Sequence, residues 1–102
     1  MNHVQELAKK IVASMENPLP YGIPDSDRGQ AAKSYKRLAI MDYANALRYS
    51  GERTLEHNER CFSEAYVFYY KAIELGISEE RLDATFAGLR SYWAKKLAGV
   101  KE

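Results

Sequence analysis

The stretch Phe62-Ser63-Glu64-Ala65-Tyr66-Val67-Phe68-Tyr69-Tyr70-Lys71-Ala72-Ile73 decides the fold. On a helical wheel at about 100° per residue, Phe62, Ala65, Tyr66, Tyr69, Ala72 and Ile73 share one side, with Leu55 a few turns upstream. Cys61, Phe68 and Leu75 form a second stripe on the flank. A surface helix of an ordinary domain buries one apolar stripe. Two stripes imply either the central helix of a bundle or a helix with a partner outside the chain. That choice is the main functional question the sequence poses.

On both sides of this segment the chain reads as helix. A first helix is expected at about 2–16, where Val4, Leu7, Ala8, Ile11, Val12 and Met15 recur at i, i+3, i+4, i+7. Three prolines, Pro18, Pro20 and Pro24, make 17–26 a loop. Its apolar Leu19, Tyr21 and Ile23 suggest a loop held against the body, and Asp25 to Asp27 are N-cap candidates. A second helix is expected at 27–49, with Tyr35, Ala39, Tyr43, Ala46 and Leu47 on one broad side and Lys33, Arg37 and Arg48 opposite. Ser50-Gly51 reads as its C-cap. Asp42 falls at the core margin and needs a partner there, because a lone buried carboxylate is costly.

The third helix is expected at 54–76, ending at Gly76, and the fourth at 78–98 behind the N-cap Ser78. Leu82, Phe86, Leu89, Trp93 and Leu97 form the core stripe of the fourth helix. Ala84, Ala87, Gly88 and Ser91 make its other side small, which suits either solvent or a close-packed second helix. No strand pattern competes. The fold class is therefore all-α, a single domain built as a small antiparallel bundle of about four helices.

Composition agrees with this and narrows the function. The chain has 102 residues, 46% hydrophobic and 28% charged, with a net charge of +1, as expected for one soluble globular domain. No apolar run approaches the roughly 20 residues that span a bilayer. Met1-Asn2-His3-Val4-Gln5-Glu6 lacks the layout of a secretory signal. The one cysteine, Cys61, leaves no internal disulfide framework. A cytoplasmic location without membrane contact is the expectation. Charge is uneven: residues 28–53 carry Arg28, Lys33, Lys36, Arg37, Arg48 and Arg53 against only Asp42 and Glu52, whereas 54–83 is predominantly acidic.

Candidate chemistry is sparse. His57 and Cys61 lie four apart on one helix face, half of a closed zinc site at best. The same pair lacks the orienting third group and oxyanion hole of a thiol nucleophile. There is no glycine-rich phosphate loop, so no catalytic, cofactor-binding or metal-ligating residue is expected. The segment Ala72-Ile73-Glu74-Leu75-Gly76-Ile77-Ser78-Glu79-Glu80-Arg81-Leu82, within about 68–87, resembles a helix-turn-helix motif, which would imply a DNA-binding regulator. In that resemblance Gly76 is the turn glycine and Leu82 the apolar anchor of the recognition helix. The residues it would present to DNA are Ser78, Glu79, Glu80 and Asp83, so carboxylates would meet a polyanion.

The eight tyrosines favour a protein partner instead. A tyrosine brings a large apolar ring and a hydroxyl, a combination enriched in interfaces. The leading expectation is a non-catalytic protein-binding module, a small regulator or inhibitor acting by surface contact, of the type common among phage and mobile-element accessory proteins. Phe68, Tyr70 and Tyr92 are the expected contact residues, with Arg37 and Arg48 as the charged rim. A homodimer through the third helix or the small face of the fourth is a further expectation, and nucleic acid is the second-ranked partner.

Overall fold

A computed structural model of the chain describes residues 3–14 and 28–99. The described residues form four α-helices and no strand: α1 (His3–Ser14), α2 (Arg28–Arg48), α3 (Leu55–Glu74) and α4 (Glu79–Gly99), with a short 3-10 turn at Ser50–Glu52. The proline-bearing loop at 17–26, with Leu19, Tyr21 and Ile23, lies outside the described residues, as do Met15 and the Asp25 to Asp27 caps.

Local chemistry sets the helix ends. Thr54 starts α3 by accepting a hydrogen bond from the His57 amide at 3.1 Å. Gly76 ends it with φ 113°, and the turn closes as a Schellman motif: Ile77 N–H donates to Ala72 C=O and Gly76 N–H to Ile73 C=O, both at 3.0 Å. Ser78 Oγ accepts from the Arg81 amide at 3.3 Å, opening α4 two residues later. At the end of α2 the outcome differs from the sequence expectation. Ser50 and Gly51 continue into the 3-10 turn rather than making a left-handed cap, and Asn58 of α3 donates to Ser50 C=O at 2.8 Å to hold that turn down.

Ring contacts give the packing order. Tyr35 meets Phe68, while Tyr43 meets Phe62 and Tyr66, so α2 and α3 run antiparallel. Phe86 meets Tyr66 and Tyr69, and Tyr69 O–H donates to the Asp83 carboxylate, so α3 and α4 also oppose each other. Helices α1 and α2 both pack on α3, and α4 packs on α2. This is the small antiparallel bundle, with α2 and α3 as its central pair.

Along its central turns, both stripes of α3 are covered within the chain. Ala65, Tyr66, Tyr69 and Ala72 are buried on one side and Phe68 on the flank. The facing helices contribute alanines, Ala8 from α1 and Ala31, Ala39 and Ala46 from α2, so backbones approach closely and rings fill the spaces between them. Lys71 is also buried, at 3% exposure, with its ammonium 3.1 Å from the half-exposed Glu74 carboxylate.

Two expected core stripes are thinner than the sequence implies. In α1, Leu7 and Ile11 are each 40% exposed while Ala8 is buried, so the helix rests on α3 by a narrow edge. In α4, Leu82 and Phe86 are buried and Leu89 is half-buried, but Leu97 is 42% exposed. The reason is length: Trp93 lies beside Arg48, the last residue of α2, so among the described residues α2 does not continue alongside the remaining turns of α4. Leu55, expected with the Tyr66 side of α3, is 77% exposed. The small face of α4 is open to solvent, and a Cβ added at Gly88 would meet nothing within 4 Å.

Truncating Phe86 or Phe68 to alanine should therefore cost about 3–5 kcal/mol in urea denaturation. Gly88→Ala should stabilise by about 0.5–1 kcal/mol, since it removes backbone entropy from the unfolded chain without a clash.

Candidate functional site

Where α2 ends beside the second half of α4, aromatic rings and cations gather at the surface. Arg48 closes α2 with its guanidinium 5.1 Å from the Tyr49 ring centre and 6.0 Å from that of Trp93. Arg53, just beyond the 3-10 turn, lies 5.1 Å from the same Tyr49 ring. Trp93 meets Tyr92 edge to face at 5.1 Å. One turn on, Lys96 lies 5.7 Å from the Tyr92 ring and 5.9 Å from the Trp93 ring, and its ammonium donates to the Tyr92 hydroxyl at 3.4 Å. Tyr92 is 53% exposed, Leu97 42%, and Trp93 is half-buried.

This cap holds together by weak forces and leaves its charge unspent. A cation over an exposed ring gains about 0.5–1 kcal/mol. The ring orders the side chain but does not neutralise it, so the guanidinium N–H donors of Arg48 stay available to a carboxylate. One turn inward, Arg90 donates to the Tyr43 hydroxyl at 3.0 Å, tying the cap to the core. That hydrogen bond is the main reason the Arg90 guanidinium is held above its ordinary pKa.

The residues expected at a contact surface separate into four places. Tyr92 and Arg48 come together in the cap, joined by Trp93. Arg37 lies elsewhere, on the outer face of α2 with Lys33, Lys36, Ile40 and Met41. Tyr70 is half-buried beside Tyr66 and Tyr69, with the Lys9 ammonium of α1 5.2 Å from its ring; burial, then the charges of Glu79 and Asp83, push its phenol above the usual range. Phe68 is a correction: it is 8% exposed and packed 6.0 Å from Tyr35, so it is part of the core and offers nothing to an outside molecule. Trp93, assigned by periodicity to the core stripe, belongs instead to the cap. The adjacent pairs Arg48-Tyr49, Tyr92-Trp93 and Lys95-Lys96, all near helix ends, are the signal that points to it.

A second polar cluster lies between α2 and α3. A cavity of about 190 Å³ is lined by Asp42, Asn45, Ala46, Arg53, Cys61 and Glu64. Arg53 donates to Cys61 Sγ at 3.0 Å. The partner that Asp42 finds at the core margin is another carboxyl, Glu64, and its own Oδ2 is buried without a well-formed hydrogen bond. Burial, followed by the charge of Glu64 and a hydrogen bond with it, pushes Asp42 up to about 6. His57 is exposed, and among the described residues no three His, Cys, Asp or Glu side chains are placed to hold a metal ion.

The sign of the linkage follows. The folded protein keeps the Asp42 proton up to about pH 6, whereas the unfolded chain releases it near the ordinary value of 3.8. Within that window the folded state binds more protons, so this group makes stability fall as pH rises. Asp42→Asn should flatten that fall, and urea midpoints for the two proteins from about pH 4 to about pH 7 would show it as a difference curve.

No family model matches the chain, and neither a curated protein nor a solved structure matches it.

Proposed function

We propose that the protein is a non-catalytic binding module, a small regulator or inhibitor that acts by contact with another protein through the cap formed by Arg48, Trp93, Tyr92 and Lys96. The observation that carries this reading is the exposed Tyr92 beside the half-buried Trp93, ringed by unneutralised cations where α4 passes the end of α2. Tyrosine, tryptophan and arginine are the residue types that dominate interface energetics. The cations favour a partner surface rich in carboxylates, which they would also steer toward the cap.

The ring arrangement favours protein over single-stranded nucleic acid. Stacking platforms offer open faces to bases, whereas Trp93 and Tyr92 already have cations beside them and meet each other edge to face. The helix-turn-helix reading is weakened by charge. The N-terminal turns of α4 expose Glu79, Glu80 and Asp83, and Asp83 is engaged with Tyr69. As to membranes, no described helix is long and apolar enough to cross one.

Trp93 is the sole tryptophan, so its fluorescence reports on the cap directly. Affinity capture from the host's own lysate, with and without nuclease, should yield one stoichiometric protein that survives nuclease. Titration of that protein should change Trp93 emission. Arg48→Glu and Trp93→Ala should each weaken capture by about tenfold or more without lowering the melting temperature appreciably. Recovery that collapses with nuclease, or variants that capture as well as the parent, would sink the reading.

A further inference from the structure

The outer face of α2 carries a second feature, independent of the cap. A groove of about 410 Å³ is lined by Lys33, Lys36, Arg37, Ile40 and Met41. Lys33 and Arg37 also line a smaller cavity of about 180 Å³ together with Gln30 and Ser34. The larger volume falls in the range of about 300–1,000 Å³ typical of small-ligand sites. We propose that this groove binds a small amphipathic anion, an organic phosphate monoester with a short apolar body.

Helix geometry arranges the chemistry in that order. Lys33, Lys36 and Arg37 stand at i, i+3 and i+4, and Ile40 and Met41 follow at i+7 and i+8. At about 1.5 Å rise per residue, the apolar end lies roughly one to two turns, or about 5–10 Å, beyond the cationic end. That is the length of a phosphate followed by a few methylenes.

The cations are free to act. Among the described residues, Lys33, Lys36 and Arg37 take part in no ion pair or hydrogen bond, whereas Arg60 pairs with Glu56, Lys71 with Glu74, and Arg53 and Arg90 donate to Cys61 and Tyr43. Among the described residues, no Asp or Glu lines the groove. Three like charges at helical spacing repel one another, and an anion placed between them converts that repulsion into attraction. Arg37 supplies a planar fork suited to two phosphate oxygens, and the lysines act as point charges beside it.

The apolar end is equally unspent. Met41 is 53% exposed and Ile40 is half-buried. A flexible thioether of this kind adapts its shape to an alkyl chain. Inorganic phosphate would satisfy only the first half of the groove, and an alcohol only the second.

The site is distinct from the cap. Arg37 and Arg48 are about 16 Å apart along the helix at about 1.5 Å per residue, so substitutions can address each alone.

The test is a chemical-shift titration of the isotope-labelled protein with hexyl phosphate, inorganic phosphate and hexanol in turn. Hexyl phosphate should saturate, with the largest shifts at residues 30–41, and bind at least about tenfold more tightly than inorganic phosphate. Hexanol should show no saturable binding. The double variant Lys33→Glu/Arg37→Glu, whose side chains are exposed and whose fold circular dichroism can verify, should weaken hexyl phosphate by about tenfold or more. Arg48→Glu/Lys96→Glu should leave it unchanged. The proposal is overturned if shifts centre on Tyr92 and Trp93, if hexyl phosphate gains nothing over inorganic phosphate, or if the Lys33/Arg37 variant binds as the parent does. Loss in the Arg48/Lys96 variant alone would place the anion at the cap, and loss of partner capture with the groove intact would concern only the cap.

Discussion

The stacked rings of Tyr43 and Phe86, 4.0 Å apart and inclined by 9°, are the contact on which the bundle depends. They join α2 to α4, two helices that are not neighbours in sequence. Phe62 and Tyr66 of α3 close on the Tyr43 ring edge-on, so three helices meet at one side chain. Tyr43 carries a hydroxyl into this apolar setting, and a buried hydroxyl needs a partner. Arg90 provides it. One aromatic stack therefore fixes both how α4 lies on α2 and where its second half points.

The same cluster governs the protonation of its phenols. Burial keeps Tyr66 and Tyr69 above the ordinary phenol range, aided by Tyr43 in the first case and by Asp83 in the second. Both remain donors at neutral pH, and Tyr69 uses its proton to hold Asp83 at the start of α4. Charge outside the cluster is sorted by helix. The described residues lining the groove on the outer face of α2 include three cations and no acid, and the first turn of α4 is acidic. Between α2 and α3 two carboxyls, Asp42 and Glu64, face each other instead of a base.

Much of the fold was legible from periodicity. Each helix repeats its apolar residues at a helical interval, and Gly76-Ile77-Ser78 carries an end and a start in three letters. The double stripe of α3 identified a helix needing neighbours on two sides, but not whether they belonged to the chain. Alanines decided it: Ala31, Ala39 and Ala46 contribute almost no hydrophobic signal, yet they let α2 come close enough to cover Phe68. Periodicity misled in α4, because a repeat shows which face of a helix is apolar and not how far its neighbour extends. Trp93 and Leu97 keep the register of Leu82 and Phe86 where α2 is ending and after it has ended. The Asp42–Glu64 pairing was illegible for a different reason. It depends on the rotation of two helices about their axes, which neither sequence segment contains.

The overhang of α4 has an evolutionary side. Residues 94–98 add little to the cooperative unfolding unit, because they are exposed and α2 has already ended. Amide exchange in that segment should therefore proceed by local fraying, below the free energy of global opening. Sequence change there carries little folding penalty, so under the proposed function the contact surface at the tip could change while the Tyr43–Phe86 stack stays as it is. On that proposal, specificity and stability would sit on different parts of one continuous helix and could drift separately.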